Sequence, residues 1–535
     1  MATQNNTAVT ETQDDGHLQR SIDWRGAFWV ASGVPALVLF SIGGVASQVG
    51  KVSFAIWIVS IMMGFVQSFT YTEIAGLFPN KSGGASIYGA AAWVKYSKII
   101  APLSVWCNWF AWSPVLSLGS SIAAGYIIVA FGIENATLFS TRLGPVGFSI
   151  NVAFFIGAAL MFLCYLIQKR GILETASVQK WMGLAVIVPL AIVSVVPILT
   201  GQVSWDNFAP FVPLATAGDP TPGAWNIAGW TLVLGSMFLA GWSTYGFETA
   251  VCYTSEFRNP EKDTFKAIFY SGLLCMALFI LVPFTFQGVL GLDGILAPPI
   301  ADGSGVAAAL AGMVGGGQIV FAILVFLMIL ALLLSIMTAM SGSSRTLYQG
   351  SIDGWLPKYL GHANKAGAPT SAIWTNLVFN LIVLSMASAD ATSFYFLLAV
   401  SNCGYIIFTF LNLNSGWIHR IDAASVPRPY KAPSWLLAMG AVSGFLNIFF
   451  MGAGAKIWNP AALWAGLGTA ALIIPVFCYR HYVQDGGKFP HEMEEDLHVG
   501  SPQDHAKPRA GMLPYLALLA GLTIMLVANF VFTTN

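Results

Sequence analysis

The sequence predicts an all-α polytopic membrane protein, on three observations. Only 9% of its 535 residues are charged while 56% are hydrophobic, whereas a soluble globular chain is typically about 25% charged. Apolar runs of roughly 20 residues, the length that crosses a hydrocarbon core, recur from residue 26 to residue 532. The Lys and Arg residues between those runs fall almost wholly on one side. High Gly (54) and Trp (18) point the same way, since Gly is frequent in membrane helices and Trp at their interfaces.

The runs and their loops follow in order. Residues 1–23 are polar, lack a basic start leading into a short apolar stretch, and read as a disordered cytoplasmic tail rather than a signal peptide. Residues 26–47, 53–78, 99–131, 147–167 and 178–200 form a first set of five spans. Residues 227–252, 267–290, 317–341, 372–388 and 393–413 form a second five. Residues 435–455 and 461–478 complete twelve core helices, so the core spans 24–479. A polar cytoplasmic linker, 480–512, leads to an additional C-terminal transmembrane helix at 513–532. With the N-terminus cytoplasmic, every Lys and Arg falls inside except Lys51, Arg142 and Lys456. The positive-inside rule expects this bias, and one missed span near the start would scramble it. Four of the seven His (His481, His491, His498, His505) lie in or at the edge of the linker. A solvated connection is its plain reading and a pH-sensitive segment the sharper one.

Net charge is zero, which leaves no global basic surface for nucleic acid. The six cysteines lie within or at the ends of apolar runs, form no CxxC pair, and read as inert buried side chains. No HExxH, no paired Asp within the apolar runs and no GxxxxGK[ST] loop occurs, so neither a membrane-embedded enzyme nor an ATP-driven pump finds its machinery here. No cofactor is expected beyond a coupling ion, Na+ or H+.

A helix unwinds in lipid only where its freed backbone groups find partners, often a ligand or an ion. Gly pairs in mid-span mark two candidate breaks: Ser41-Ile42-Gly43-Gly44 in the first run and 240–248 in the sixth. They lie five spans apart, and interrupted helices at matching places in two halves point to a transporter site. A half-helix N-terminus suits a carboxylate and freed carbonyls suit an ammonium group, so an amino acid fits both. Close helix packing is the competing reading of the same glycines. Glu248 closes the second break. An acid within a span is a functional candidate by default, the alternative being a capping or protonated structural residue. Glu73, at the end of its span, reads as structural. Trp109 and Trp112 share a helical face, either in the site or, with Trp106, as interfacial anchors.

Four stretches carry a resemblance. They are Glu73-Ile74-Ala75-Gly76-Leu77-Phe78-Pro79 running into Ser82-Gly83-Gly84-Ala85, and Gly246-Phe247-Glu248 followed by Ser255-Glu256-Phe257-Arg258-Asn259-Pro260. The others are Ser344-Arg345-Thr346-Leu347-Tyr348 with Asp353-Gly354, and Arg428-Pro429-Tyr430-Lys431-Ala432-Pro433. From about residue 24 to 479 the chain resembles the amino acid–polyamine–organocation superfamily. The resemblance implies a leucine-transporter-like fold: two inverted five-helix repeats, about 26–200 and 227–413, around a midplane site. It implies that Ser41, Ile42, Gly43 and Gly44 hold the substrate carboxylate. The turn Ala240, Trp242, Ser243, Tyr245 would hold the amino group, with Trp242 gating. Arginine/agmatine exchangers of the superfamily carry a Trp and a Glu at the spacing of Trp242 and Glu248. Here Cys107 stands where those exchangers have a stacking aromatic. Val186 stands where many proton-coupled members have a lysine. Ser335 and Thr338 could offer oxygens to Na+. The expectation is a permease of the plasma or inner membrane that moves a small amino acid or close analogue by alternating access. An amine or polyamine carrier, or a transporter-like sensor, is the alternative.

Overall fold

In a computed structural model of the chain the described residues are 18–301, 303, 305–497 and 509–532; the tail up to residue 17 and the part of the linker with His498 and His505 lie outside them. Among the described residues, eleven helical stretches are long and apolar enough to cross a membrane. The first, Trp24–Ala75, contains α1 (Trp24–Val30), α2 (Val38–Val49) and α3 (Ser53–Ala75). Its 52 residues far exceed one crossing at about 1.5 Å per residue. The chain folds back at Gly50, whose φ of 59° suits glycine. A short α4 (Ala85–Trp93) precedes α5 (Ile100–Trp112) and α6 (Val115–Phe131), parted by a turn at Ser113 and Pro114.

The fourth apolar run departs from its expected start at 147. β1 (Thr137–Leu143) and β2 (Val146–Asn151) pair antiparallel across Gly144-Pro145, with Thr141 opposite Phe148. Gly in the first position of a two-residue loop, φ 58°, favours this hairpin. α7 (Val152–Gln168) begins only after Asn151, whose side chain accepts from Phe154 N. Asp23, Asn226 and Asp390 cap α1 and the helices Ile227–Thr244 and Ala391–Asp422 in the same way, each bond typically contributing about 1 kcal/mol.

The chain continues through α8 (Ile172–Leu199), α9 (Ile227–Thr244) and a 3-10 stretch, Gly246–Glu256. α10 (Pro260–Ile295), α11 (Pro298–Ala301), α12 (Val306–Gly312), α13 (Gly317–Ile352), α14 (Thr370–Ala387), α15 (Ala391–Asp422) and α16 (Ser434–Trp458) follow. α17 (Ala462–Ala471) and α18 (Ile473–Cys478) run on as a π-helical turn to Gln484, past the expected end of the core. Then come α19 (His491–Leu497) and α20 (Leu513–Val531).

Contacts define two faces. On one, Lys81 pairs with Asp353, Arg345 with Glu256 and Arg420 with Glu73, each at 2.6 Å. Arg480 donates to the Leu356 carbonyl, and Ser21 N and Ile22 N donate to that of Glu256. On the other, Lys51 is held by the carbonyls of Asp206 and Ala209, Arg142 pairs with Asp390, and Lys456 donates to Asn529 O. Lys51, Arg142 and Lys456 are the three cations that the loop count sets apart. Glu73 thus has the structural role expected: it also accepts from Ala432 N, fixing the 428–433 loop.

α20 runs beside α16. Its start is tied to the basic face by Ala510 N to Asp422 Oδ1 and Tyr515 OH to Tyr96 O, and its end lies at Lys456 on the other face. Close approach occurs at Gly452, where a Cβ would stand 2.3 Å from Met525 O. The linker's first residues fold back. Phe489 packs on Trp355 (5.4 Å) and His481 (4.8 Å), and Met493 is buried.

The Arg345–Glu256 pair is buried on both sides and doubly hydrogen-bonded. Glu256→Gln is expected to cost about 3–5 kcal/mol, the scale for leaving one partner of such a pair alone. A thermal melt of the purified protein in detergent, read as a Tm fall against wild type, checks it.

Candidate functional site

Both interrupted helices are present, but one break is displaced. The backbone leaves α-geometry at 31–37, in a turn followed by a 3-10 segment, Val34–Leu37. α2 then runs unbroken through Ser41, Ile42, Gly43 and Gly44. Pro35 supplies the reason, since proline has no N–H to donate and its ring crowds the preceding turn. The expected break at Ser41–Gly44 is therefore corrected to 31–37. Those glycines serve packing instead. A Cβ on Gly43 would lie 1.7 Å from the Ile300 carbonyl, and one on Gly44 2.7 Å from the Tyr395 ring. Both neighbours press on α2 from the end opposite the basic face.

In the sixth run, Ala240, Trp242 and Ser243 are still α-helical, and the change to 3-10 falls at Tyr245 and Gly246. Gly246 is where the two breaks meet. A Cβ there would stand 2.5 Å from the Trp112 ring, 3.0 Å from Val34 and 3.3 Å from Leu37. Ser243 Oγ donates to the Leu37 carbonyl (3.3 Å) and lies 3.1 Å from Ser41 Oγ. Trp242 Nε1 donates to Ser401 Oγ (3.0 Å), and its ring lies 5.8 Å from Phe40. Tyr245 OH donates to Asn447 Oδ1 (3.0 Å).

Glu248 is buried one turn beyond. Its Oε1 accepts from Trp112 Nε1 at 3.0 Å, while Oε2 has no partner among the described residues. Of the three tryptophans in α5, only Trp112 reaches this centre. Trp109 donates to Asn376 and Trp106 to the Thr469 carbonyl. Cys107 is buried against α15 at Gly404, away from the meeting point.

The freed carbonyls of the first break go to α13 and α8. Thr338 Oγ1 donates to Val30 O (2.6 Å), and Ser335 Oγ donates to Gly33 O (2.7 Å). Gln179 Nε2 donates to Val30 O (3.2 Å) and to Thr338 Oγ1 (3.3 Å). Ser335 and Thr338 are thus brought together with helix one as expected, but as hydrogen-bond partners of its backbone: both donate to its carbonyls, and Thr338 Oγ1 also accepts from Gly33 N (3.3 Å). Gln179 was not foreseen. Val186, two turns further along α8, is buried in the core. The available signal for Gln179 was an amide beside Lys180 at the start of an apolar run, a polar residue that must find partners where the run enters lipid.

A membrane fold with two interrupted helices meeting at a buried centre defines a transporter. The comparisons name its kind. The family model for amino acid permeases matches residues 22–474, and the chain belongs to that family; it is an amino acid transporter. A branched-chain amino acid permease of Lactococcus lactis subsp. cremoris is 22% identical over 468 residues, covering 85% of this chain and 94% of that one. One of Bacillus subtilis is 24% identical over 411 residues, 76% and 77% of the two chains. A transporter of Legionella pneumophila without assigned function is 24% identical over 213 residues, 37% and 43%.

Gly246→Leu should close the meeting point of the breaks and abolish uptake while the protein still reaches the membrane. Gly246→Ala should retain a fraction, since its one methyl presses only on side chains, those of Trp112, Val34 and Leu37, which can give way more readily than backbone. Uptake normalised to the amount of protein in the vesicles separates the two.

Proposed function

We propose that the chain is a secondary permease for amino acids with apolar, branched side chains, working by alternating access. The observation that carries this is the lining where the breaks meet. Val34, Leu37, Phe40, Trp112 and Trp242 are apolar surface, and Glu248 is the one acid beside them. Such a wall rewards a branched aliphatic group by about 0.8 kcal/mol for each buried CH2. A polyamine would need more than one carboxylate, which this lining does not offer. The names of the Lactococcus and Bacillus relatives support the same substrate class.

In this reading ten of the twelve core helices form two inverted five-helix repeats, α20 is the added span, and the basic face is cytoplasmic. The Ser335 and Thr338 oxygens, already engaged with Val30, Gly33 and Gln179, tie helix one to its neighbours rather than hold Na+. In proteoliposomes, radiolabelled leucine, isoleucine or valine should show saturable uptake that each of the others competes for. Lysine and putrescine should compete at least tenfold less well, which amounts to about 1.4 kcal/mol. Replacing Na+ by choline should leave uptake within a factor of two. Preferred uptake of lysine or putrescine would overturn the substrate assignment, and a strict Na+ requirement would return Ser335 and Thr338 to a cation site.

A further inference from the structure

Many cations of the basic face are spent on acids of the same chain. Lys81, Arg345, Arg420, Arg428, Lys358 and Arg480 each lie within ion-pair distance of a carboxylate, and Lys98 stands over the Phe489 ring. Arg258, Lys262 and Lys266 have Glu261 and Asp263 among them in the chain. One set differs. The stretches 155–181 and 359–382 carry Lys169, Arg170, Lys180 and Lys365 against a single acid, Glu174. Lys169, Arg170 and Lys365 are exposed, and among the described residues their side chains make no ion pair and no hydrogen bond.

The fold brings these three to one corner. The loop between α7 and α8 is tied to the loop before α14. Asn364 Nδ2 donates to the Lys169 carbonyl (2.7 Å), and a Cβ on Gly171 would stand 2.5 Å from the Ala366 carbonyl oxygen. Asn364 Oδ1 accepts from Ala366 N and Ala368 N, so the turn that carries Lys365 is held from within. Next along the helices, Tyr165 of α7 and Trp374 of α14 lie ring to ring at 5.5 Å, with Lys169 Nζ over the Tyr165 ring at 6.0 Å. From there an exposed apolar strip leads away from the basic face. Phe162 and Phe155 supply it on α7, and Trp374, Val378 and Ile382, four residues apart, supply it on one face of α14. The two helices pack beneath it, where a Cβ on Gly157 would meet Leu384 at 3.1 Å. The opposite face shows no such group, because Lys51, Arg142 and Lys456 are each engaged.

The sequence of groups from the basic face inward is cations, aromatic rings, then aliphatic side chains. A phospholipid has the matching sequence of headgroup, glycerol ester and acyl chain. Aromatic rings settle at the level of the interface, long basic side chains extend toward the headgroups, and basic pockets between spans recognise anionic headgroups. We propose that the corner of α7, α8 and α14 binds one anionic phospholipid, its phosphate held by Lys169, Arg170 and Lys365 and an acyl chain laid along the strip. Lipid covers the strip in any case; the three cations select which lipid. A zwitterionic headgroup carries an ammonium that these cations repel, whereas an anionic one leaves its charge free for them. Bound there, the lipid ties α7 and α8, from the first five spans, to α14 from the second. The proposal needs the membrane fold alone and does not depend on the solute carried.

Competition between two lipids tests it. The purified protein in a neutral detergent, offered equal amounts of phosphatidylglycerol and phosphatidylcholine with the same acyl chains, should retain the first at least tenfold over the second in native mass spectra. Lys169→Gln/Arg170→Gln/Lys365→Gln should bring that ratio within twofold of one. Arg258→Gln/Lys262→Gln/Lys266→Gln, which removes the same charge elsewhere on the basic face, should leave it at least fivefold, and Lys169→Arg/Lys365→Arg should keep it. In a thermal melt, phosphatidylglycerol should raise the Tm of wild type and not that of the Lys169/Arg170/Lys365 variant. Equal retention of the two lipids by wild type would overturn the proposal. So would a preference that survives the loss of these three cations, or one lost equally in the control variant. Displacement of the lipid by millimolar glycerol 3-phosphate would assign the cations to a soluble phosphate and overturn the lipid assignment.

Discussion

The structure turns on one constraint: in lipid, a backbone amide released from a helix must find its partner inside the protein. Two helices break this rule locally and are rescued by others. At the first break the Val30 and Gly33 carbonyls are taken by Thr338, Ser335 and Gln179, which bind helix one to α13 and α8. At the second, eleven residues of 3-10 helix keep their donors occupied through tighter i+3 bonding. The place where the breaks meet is fixed by these rescues, and the apolar lining of Val34, Leu37 and Trp112 around Gly246 follows from it.

The same constraint explains the distribution of charge. Ion pairs cluster at the basic face, where loops between helices need anchoring, as in Glu73 with Arg420 and the Ala432 amide. Buried pairs of this kind add little net stability, because desolvation offsets attraction, but removing one partner is costly. They therefore act as register marks that hold the loop after α3, the end of the 3-10 stretch and the end of α13 in one arrangement. The opposite face is closed differently, by apolar and backbone contact of Ile300 and Tyr395 on the two glycines of α2.

Glu248 sits between the two systems. Its Oε1 accepts from Trp112 on one side, and the phenols of Tyr71 and Tyr405 lie near it on the other.

The sequence by itself determined the class of protein, the apolar runs, the separation of Lys51, Arg142 and Lys456 from the other cations, and an interruption of the sixth run within 240–248, which the structure places at its Tyr245–Gly246 end. These are readable because transfer of a run into lipid, and the placing of charges at its ends, depend on composition over some twenty residues and need no partner. Only the tertiary structure decided the rest. The break in helix one lies at 31–37 because Pro35 starts it and residues some 150 and 300 positions away, Gln179 and Ser335 with Thr338, take up its carbonyls. Gly43 and Gly44 look like a break in one dimension and are contacts in three, since their neighbours Ile300 and Tyr395 are invisible from the local pattern. The group of Lys169, Arg170 and Lys365 is legible only as scattered cations until the loops before α8 and α14 meet. A local sequence shows which groups need partners, and the fold chooses them.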